Sequence, residues 1–433
     1  MAIQGLRSTN SPATDERPKS WREGIAYLEP NGAGKAPFTA LTTKMRTEAV
    51  DDPEFNWWTK VMPSRRLQLN LDLATNASSL TVFSGAALAA AGVYADGAYS
   101  VKPGDLLMFE QTKEIVRVVT VASDTSISSI AIMKGSDYPT NTALTAIDHD
   151  ADGVNPFIKV IGSAYAEGTR SPDPVSFNPV KKYNYTQIFK NSLALTNTAI
   201  ATRLRTKEAV AEARREALLM HSQDMEMAWW FGERLETVSG GLPLRTTQGF
   251  FNMVPASQKI NAAAGDYAGG MTWSLFEELL YRAFLWGSTE KIAWVGMGAM
   301  MAINRVVRLA GGNHIQFQPQ TKEYGFNVSR LTTPFGTLVL WNHPLFNTMQ
   351  GGLNVESGGA TRFNGHTNTM AIMDMDGIRY RPLRGRDTKY EANVQENDED
   401  LRKSQYITEA GIEWKHTEGH LIIENLYTAI GED

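Results

Sequence analysis

The sequence predicts an α+β protein of several units, and three observations predict it. Short β-like runs follow one another between Ala77 and Gly168, separated by Gly and Asp turn signals, as in a small β-sandwich or barrel. Apolar residues then recur at threes and fours from Thr206 to Glu236, the mark of one long amphipathic helix. Beyond Thr272 helix and strand patterns alternate, which is the texture of a mixed layer. With 433 residues the chain exceeds the usual size of one hydrophobic core, so two or three subdomains are expected.

The elements follow in chain order. Residues 1 to about 50 are polar and broken by Pro12, Pro18, Pro30 and Pro37, and read as an arm that orders on a neighbour. Phe55, Trp57 and Trp58 precede Leu67, Leu69, Leu71 and Leu73, whose period of two predicts a strand entering a sheet. The β segment continues through SSLTVF, DLLMFEQ, EIVRVVTVA, SISSIAIM and PFIKVIG, with an alanine-rich patch at Ala86 to Ala91 that fits a helical turn or a close-packed loop. Asn184 to Phe189 is strand-like. The helix after it is about thirty residues, roughly 45 Å at the α-helical rise. Its apolar face is predicted from Val210, Ala213, Ala217, Met220, Met227 and Phe231, with Gly240-Gly241 supplying the stop. Of the adjacent Trp229 and Trp230, helical position assigns at least one ring to the core.

Thr272, or Ser274 with Glu277 in capping-box register, opens a second helix that ends near Gly287. Lys291 to Val295 reads as a buried strand, and Met297 to Leu309 as a helix closed by Gly311-Gly312. Strand signals dominate Phe326 to Phe346, with a turn at Pro334-Phe335-Gly336, and return from Met370 to Leu383. The final YITEAGIEWKHTEGHLIIENL is predicted to be a hairpin turning at Thr417 to Gly419.

Composition narrows the chemistry. No cysteine is present, which removes disulfides, thiolate nucleophiles and cysteine-ligated zinc together. No run of eighteen apolar residues offers a membrane helix, and no secretory-type leader opens the chain. A net charge of -5, from 42 basic and 47 acidic side chains, gives no general field for gripping nucleic acid.

Apparent site motifs fall to plainer readings. Asp148 to Gly153 opens like a calcium loop, but its twelfth position is Lys159 in place of the bidentate glutamate. His416 and His420 are spaced as zinc ligands on a helix, yet the flanking residues alternate as strands and the glutamate does not follow the first histidine. Asn31 to Lys35 lacks the first glycine and the hydroxyl of a phosphate loop. No serine occupies a GxSxG elbow.

The order of parts carries a resemblance. An arm, a β segment ending in Ala166-Glu167-Gly168-Thr169, Asn184 to Phe189, a long helix, Arg245 to Phe250, the TTPFGTLVLWNH strand pair and the terminal ITEAGIEW and GHLIIENL strands resemble the tailed-phage major head proteins of the Hong Kong 97-type fold, in the branch with an inserted β domain. The resemblance covers roughly residues 50 to 430. It implies a fold with a spine helix, peripheral and axial domains and an extended loop. Mapped onto this chain, 1–53 is an N-terminal arm, 54–76 and 165–195 the extended-loop strands, and 77–164 the inserted domain. Residues 196–259 are then the peripheral domain with the spine helix, 260–385 mainly the axial domain, and 386–433 strands returning to the peripheral domain.

The same resemblance implies a structural protein, with no catalytic residue, cofactor or metal. It would self-assemble as hexamers and pentamers into the icosahedral head of a tailed phage, enclosing double-stranded DNA without sequence-specific binding and without a membrane. Scaffolding, portal and decoration proteins are the further partners that the family admits, and the virion capsid is the implied location. Trp57 and Trp58 are expected to bury on neighbouring copies, because aromatic anchors dominate interface energies; packing inside their own chain is the plainer alternative. Arg384 and Arg386 are expected to meet acids such as Glu399 and Asp400 on another copy. An encapsulin-type nanocompartment shell is the nearest alternative function, and a carbohydrate-binding or hydrolytic enzyme a more distant one.

Overall fold

A computed structural model describes residues 36–42, 45–60, 63–91, 95–134, 144–148, 156–202, 209–262, 272–309, 316–323, 326–348, 353–355, 361–363 and 365–426. The fold is mixed α+β, as the alternating patterns predicted.

The β segment has a core of its own. Five antiparallel strands lie in the spatial order Arg66–Gln68, Phe157–Ser163, Asp105–Phe109, Ile115–Thr120, Ser129–Ile132, beside a ribbon of Leu80–Thr81 with Ser126–Ile127. Alternate residues point inward, so Leu107, Phe109, Val116, Val118 and Ile158 share one core with Leu67, Leu69 and Val82. Of the predicted leucine strand, only Arg66–Gln68 is continuous; Leu69 and Leu73 continue it as isolated bridges and Leu71 is exposed. The alanine patch forms the helix Gly85–Ala91.

The chain enters and leaves this segment through a two-stranded ribbon, Glu54–Thr59 with Val180–Tyr185, in antiparallel register from Glu54↔Tyr185 to Thr59↔Val180. After Thr186 it continues as Gln187–Thr196. That strand pairs over its whole length with Leu401–Trp414, which also carries Ile378–Pro382 and Lys389–Glu391. The long helix Ala209–Phe231 packs on this sheet, with the Phe189 and Trp229 rings 5.5 Å apart.

The helix is shorter than predicted at its C-terminal end, and its buried face is different. It stops at Phe231 because Gly232 and Gly249 meet backbone to backbone: a Cβ on Gly249 would lie 2.6 Å from Gly232 N. Residues 203–208, where the predicted start falls, lie outside the described residues. Gly240-Gly241 is not the stop; both glycines have positive φ and turn a hairpin of Leu235–Ser239 with Leu242–Thr246. The inward residues are Ala217, His221, Met225, Glu226, Trp229 and Trp230, while Met220 is exposed.

A seven-stranded mixed sheet forms the other half. Its order is Lys259–Asn261, Leu421–Glu424, Met370–Met373, Glu290–Val295, Gly336–Asn342, Phe326–Thr333, Gln316–Glu323. The first two strands are parallel, as are Glu290–Val295 and Gly336–Asn342, and the other neighbours are antiparallel. Its central strands are covered on both faces and so read as near-continuous apolar runs. Ala293, Val295, Leu338, Leu340, Ile372, Leu421 and Ile423 face the helices Trp273–Phe284 and Met297–Leu309. Trp294, Val339, Trp341, Ala371, Met373 and Ile422 face the other way, into the core that holds Trp229, Trp230 and Trp414. The sheet is therefore the partition between two cores. Thr272 caps the first of these helices, its hydroxyl accepting from Leu275 N at 3.4 Å, and Gly287 ends that region at positive φ.

Two further expectations are corrected. The C-terminal segment is not a hairpin: Leu401–Trp414 and Leu421–Glu424 belong to different sheets, redirected at His416, whose φ of 50° is left-handed. The end of the predicted arm packs on its own chain, because Pro37–Thr42 is a helical turn with Phe38 wholly enclosed by Trp230, Trp294 and Trp414. The Asn31 to Lys35 motif, residues 149–153 of the acidic motif that opens at Asp148, and Gly311-Gly312 lie outside the described residues.

Candidate assembly surfaces

An elaborate polar site among the described residues is buried, and it joins three elements. Glu226, on the inner side of the long helix, accepts from Phe38 N at 3.0 Å, Thr39 N at 2.6 Å, the Thr39 hydroxyl at 2.8 Å and the Trp230 indole at 3.1 Å. His343 Nε2 adds a contact at 2.7 Å from the loop after strand Gly336–Asn342. A carboxylate so enclosed is tolerable because donors surround it, and together they fasten the 36–42 segment, the helix and the large sheet. A second node surrounds Lys291, whose ammonium donates to Ala283 O, Trp286 O and Gly419 O at 2.7, 2.5 and 2.6 Å. Burial pushes the Lys291 pKa down to about 8, against the pull of Asp374. His420, enclosed beside it, is held at about 4 by burial and by the Lys291 charge, and its Nδ1 accepts from Asp374 N at 3.1 Å.

Both nodes bind elements together and neither is open to a substrate. Sequence reasoning missed both nodes: periodicity counts Glu226 as outward, and although Lys291 opens a strand read as buried, no local pattern reports its partner Gly419. Among the described residues no group of three His, Asp or Glu side chains could hold a metal ion, and His416 and His420 flank the helical turn Thr417–Gly419. Among those residues, too, no helix is long and apolar enough to cross a membrane.

The predicted contact residues divide. Trp57 is not an exposed anchor: it is buried against Phe55 and Val50 on the inner side of the ribbon. Trp58, on the other side, is 63% exposed. Arg384 pairs with Asp51 at 3.1 Å and Arg386 with Glu409 at 2.5 Å, both within this chain. Their neighbours Arg379 and Arg381 bind Glu48 at 3.1 and 3.0 Å, and Arg381 also meets the buried Glu413. Glu399 and Asp400 are exposed at the far end of strand Leu401–Trp414. Eight residues separate Leu401 from Glu409, roughly 27 Å along a strand. Within one chain the arginines therefore meet Asp51 and Glu409, and the acidic run lies at the other end of the strand. Asp400 instead accepts from Asn197 Nδ2 at 2.5 Å.

One surface was not anticipated. The hairpin Leu235–Ser239 with Leu242–Thr246 exposes Leu235, Val238, Leu242 and Leu244, and the signal for it was the alternation on either side of Gly240-Gly241.

Comparison with known proteins supplies the context for these surfaces. The major capsid protein of Pseudomonas phage PaMx41 is 24% identical over 393 residues, spanning 89% of this chain and 84% of that protein. Among solved structures, the capsid of a native GTA particle computed with C5 symmetry aligns over 98% of this chain and 100% of its own, at 8% identity and a TM-score of 0.42. The holo-SrpI encapsulin complex from Synechococcus elongatus PCC 7942 aligns over 58% of this chain and 79% of its own, at 12% identity and a TM-score of 0.38. The family model described as SU10 major capsid protein matches residues 8–427, and the chain accordingly belongs to the SU10 major capsid protein family.

Proposed function

We propose that this phage major capsid protein tiles the icosahedral head of a tailed phage as hexamers and pentamers, enclosing double-stranded DNA without reading its sequence. The observation that carries the reading is the family match over residues 8–427. The acidic balance of the chain agrees with it, since a container that held its genome by a broadly basic wall would resist packaging and release. Scaffolding, portal and decoration proteins are the additional partners in this reading. The protein's role is mechanical, with free energy placed in repeated contacts between identical copies.

In the same reading the ribbon Glu54–Thr59 with Val180–Tyr185 is the base of the extended loop, and the five-stranded sheet between its strands is the inserted domain. Residues 196–259 serve as the peripheral domain and 260–385 as most of the axial domain, to which Leu421–Glu424 is added by its pairing with Lys259–Asn261 and Met370–Met373. Trp58, Glu399 and Asp400 contact neighbouring copies. The Arg384–Asp51 pair, exposed on both sides, contributes about 0–1 kcal/mol and can exchange its partner for an acid of another copy.

Negative-stain microscopy of the purified protein under assembly conditions tests the function. Particles of uniform diameter are expected. A species that remains monomeric under every condition, including the presence of its phage's assembly partners, overturns it.

A further inference from the structure

The hairpin Leu235–Ser239 with Leu242–Thr246 stands out from the end of the long helix with every strand residue exposed or half-buried. Register places Leu235, Leu244 and Leu242 on one face and Val238 with Pro243 on the other. The only charged residues of the two strands are Glu236 and Arg245, which pair with each other at 2.8 Å near the base. The outer half is therefore an uncharged apolar tip, with Val238 70% and Leu242 72% exposed.

The root is rigid. Thr246 donates its hydroxyl to Glu233 O at 2.5 Å, Arg234 donates to Tyr183 O at 2.9 Å, and Asn252 Nδ2 donates to Phe231 O and Gly232 O at 3.2 and 2.9 Å. At the tip Gly240 and Gly241, with φ of 59° and 81°, hold a turn whose twist matches the strands. An isolated two-stranded ribbon is marginal in water, and bare apolar strands invite pairing with other chains. A firmly oriented ribbon with an uncharged tip is an interface element whose ordering cost is met before contact.

We infer that this hairpin is a clasp that docks on a second copy of the same chain in the assembled shell. The inference rests on the proposed function. Its area selects the occupant: a stable two-body complex buries about 800 Å² on each partner, more than four partly exposed apolar side chains supply. Such a small contact suits a lattice, in which each subunit repeats it and several others support it. The absence of charge at the tip suits an apolar acceptor and excludes a phosphate backbone, whose binding needs Lys or Arg.

The chain has no cysteine, so Ser239→Cys places a unique thiol on the exposed tip. A benzophenone maleimide attached there is photoactivated in shells assembled from isotopically heavy and light chains, and the cross-linked peptides are read by mass spectrometry. Mixed heavy–light cross-links in shells, absent from unassembled subunits, are the expected result. In parallel, V238D/L242D leaves the unfolding midpoint of the free subunit unchanged and lowers particle yield by about tenfold. Shells whose tip cross-links only to its own chain or to a different polypeptide overturn the clasp alone, as does a double variant with undiminished yield. Absence of particles from the unsubstituted chain overturns both the clasp and the function beneath it.

Discussion

Glu226 Oε1 lies 2.7 Å from His343 Nε2, and neither side chain is exposed to solvent. One residue belongs to the long helix and the other to the loop leaving the large sheet, so the pair crosses the boundary between the two halves of the molecule. Around it Trp230 packs at 5.1 Å from the His343 ring and Phe346 at 4.3 Å. The surrounding core is apolar, which makes this polar contact costly to lose.

Replacing Glu226 with Ala leaves the amides of Phe38 and Thr39, the Trp230 indole and the His343 ring without their common acceptor. The expected loss is several kcal/mol, at about 1–3 kcal/mol for each buried donor left unsatisfied. Glu226→Gln keeps one acceptor oxygen and should lose less. Urea unfolding of the unassembled subunit measures both, and an Ala variant with the wild-type midpoint refutes the node.

Acid should loosen the fold before carboxylates protonate. His420 is depressed from 6.5 to about 4 by burial and Lys291, and burial also lowers His221 and His366. For a depressed histidine the unfolded chain binds the proton more readily, so stability is full above the ordinary value and falls as pH drops from 6.5 towards 4. His420 alone accounts for on the order of 3 kcal/mol over that window. Unfolding free energy followed from pH 7 to 4 should fall less steeply in His420→Asn, and identical slopes would exclude this assignment.

The physical reasons for legibility differ from element to element. Met297–Leu309 was readable because its apolar stripe and flanking glycines are local signals, and the β runs between Leu80 and Ser163 because they are short, apolar and separated by turn residues around one core. The long helix was readable in existence and not in extent. Its end is set by the close approach of Gly232 to Gly249, a contact between residues seventeen apart in sequence that no local pattern reports. Its inner face contains His221 and Glu226, which are satisfied by Asn191, Thr408, Thr39 and His343 from other elements. The C-terminal strands looked like a hairpin because a turn joins two apolar runs. Which sheet each joins depends on distant partners, Gln187–Thr196 for one and Met370–Met373 for the other. Trp57 and Trp58 were indistinguishable in composition, and only the ribbon's pleat separates them.

Lys291→Met sets two effects against each other. Removing the ammonium relieves a burial cost visible as the drop from 10.5 to about 8, equivalent to roughly 3 kcal/mol below that range. It also leaves the carbonyls of Ala283, Trp286 and Gly419 without a charged donor, at about 1.5–3 kcal/mol for each bond. The second effect is larger, so net destabilisation is expected. The wild-type protein should gain stability between pH 8 and 10.5, where the unfolded chain holds the extra proton, and the Met variant should lack that gain. A more stable variant in chemical denaturation would show that the carbonyls find other donors.

Trp57 and Trp58 offer the sharpest separation of folding from assembly. Adjacent residues of a strand point to opposite sides, and here one side is the small core of Val50 and Phe55 while the other is solvent. Trp57→Ala removes a buried indole and should cost about 3–5 kcal/mol in the free subunit. Trp58→Ala should change that stability by about 0.5 kcal/mol or less, as a surface substitution does. If Trp58 is covered by a neighbouring copy, its loss falls instead on assembly, at about 2 kcal/mol or more for an aromatic anchor, about a thirtyfold rise in the concentration needed to form shells. Thermal unfolding of the subunit and light scattering of assembly, run on both variants, distinguish the two roles. A Trp58→Ala protein that assembles at the wild-type concentration would remove Trp58 from the interface and leave the clasp at Val238 and Leu242 to be judged by its own cross-links.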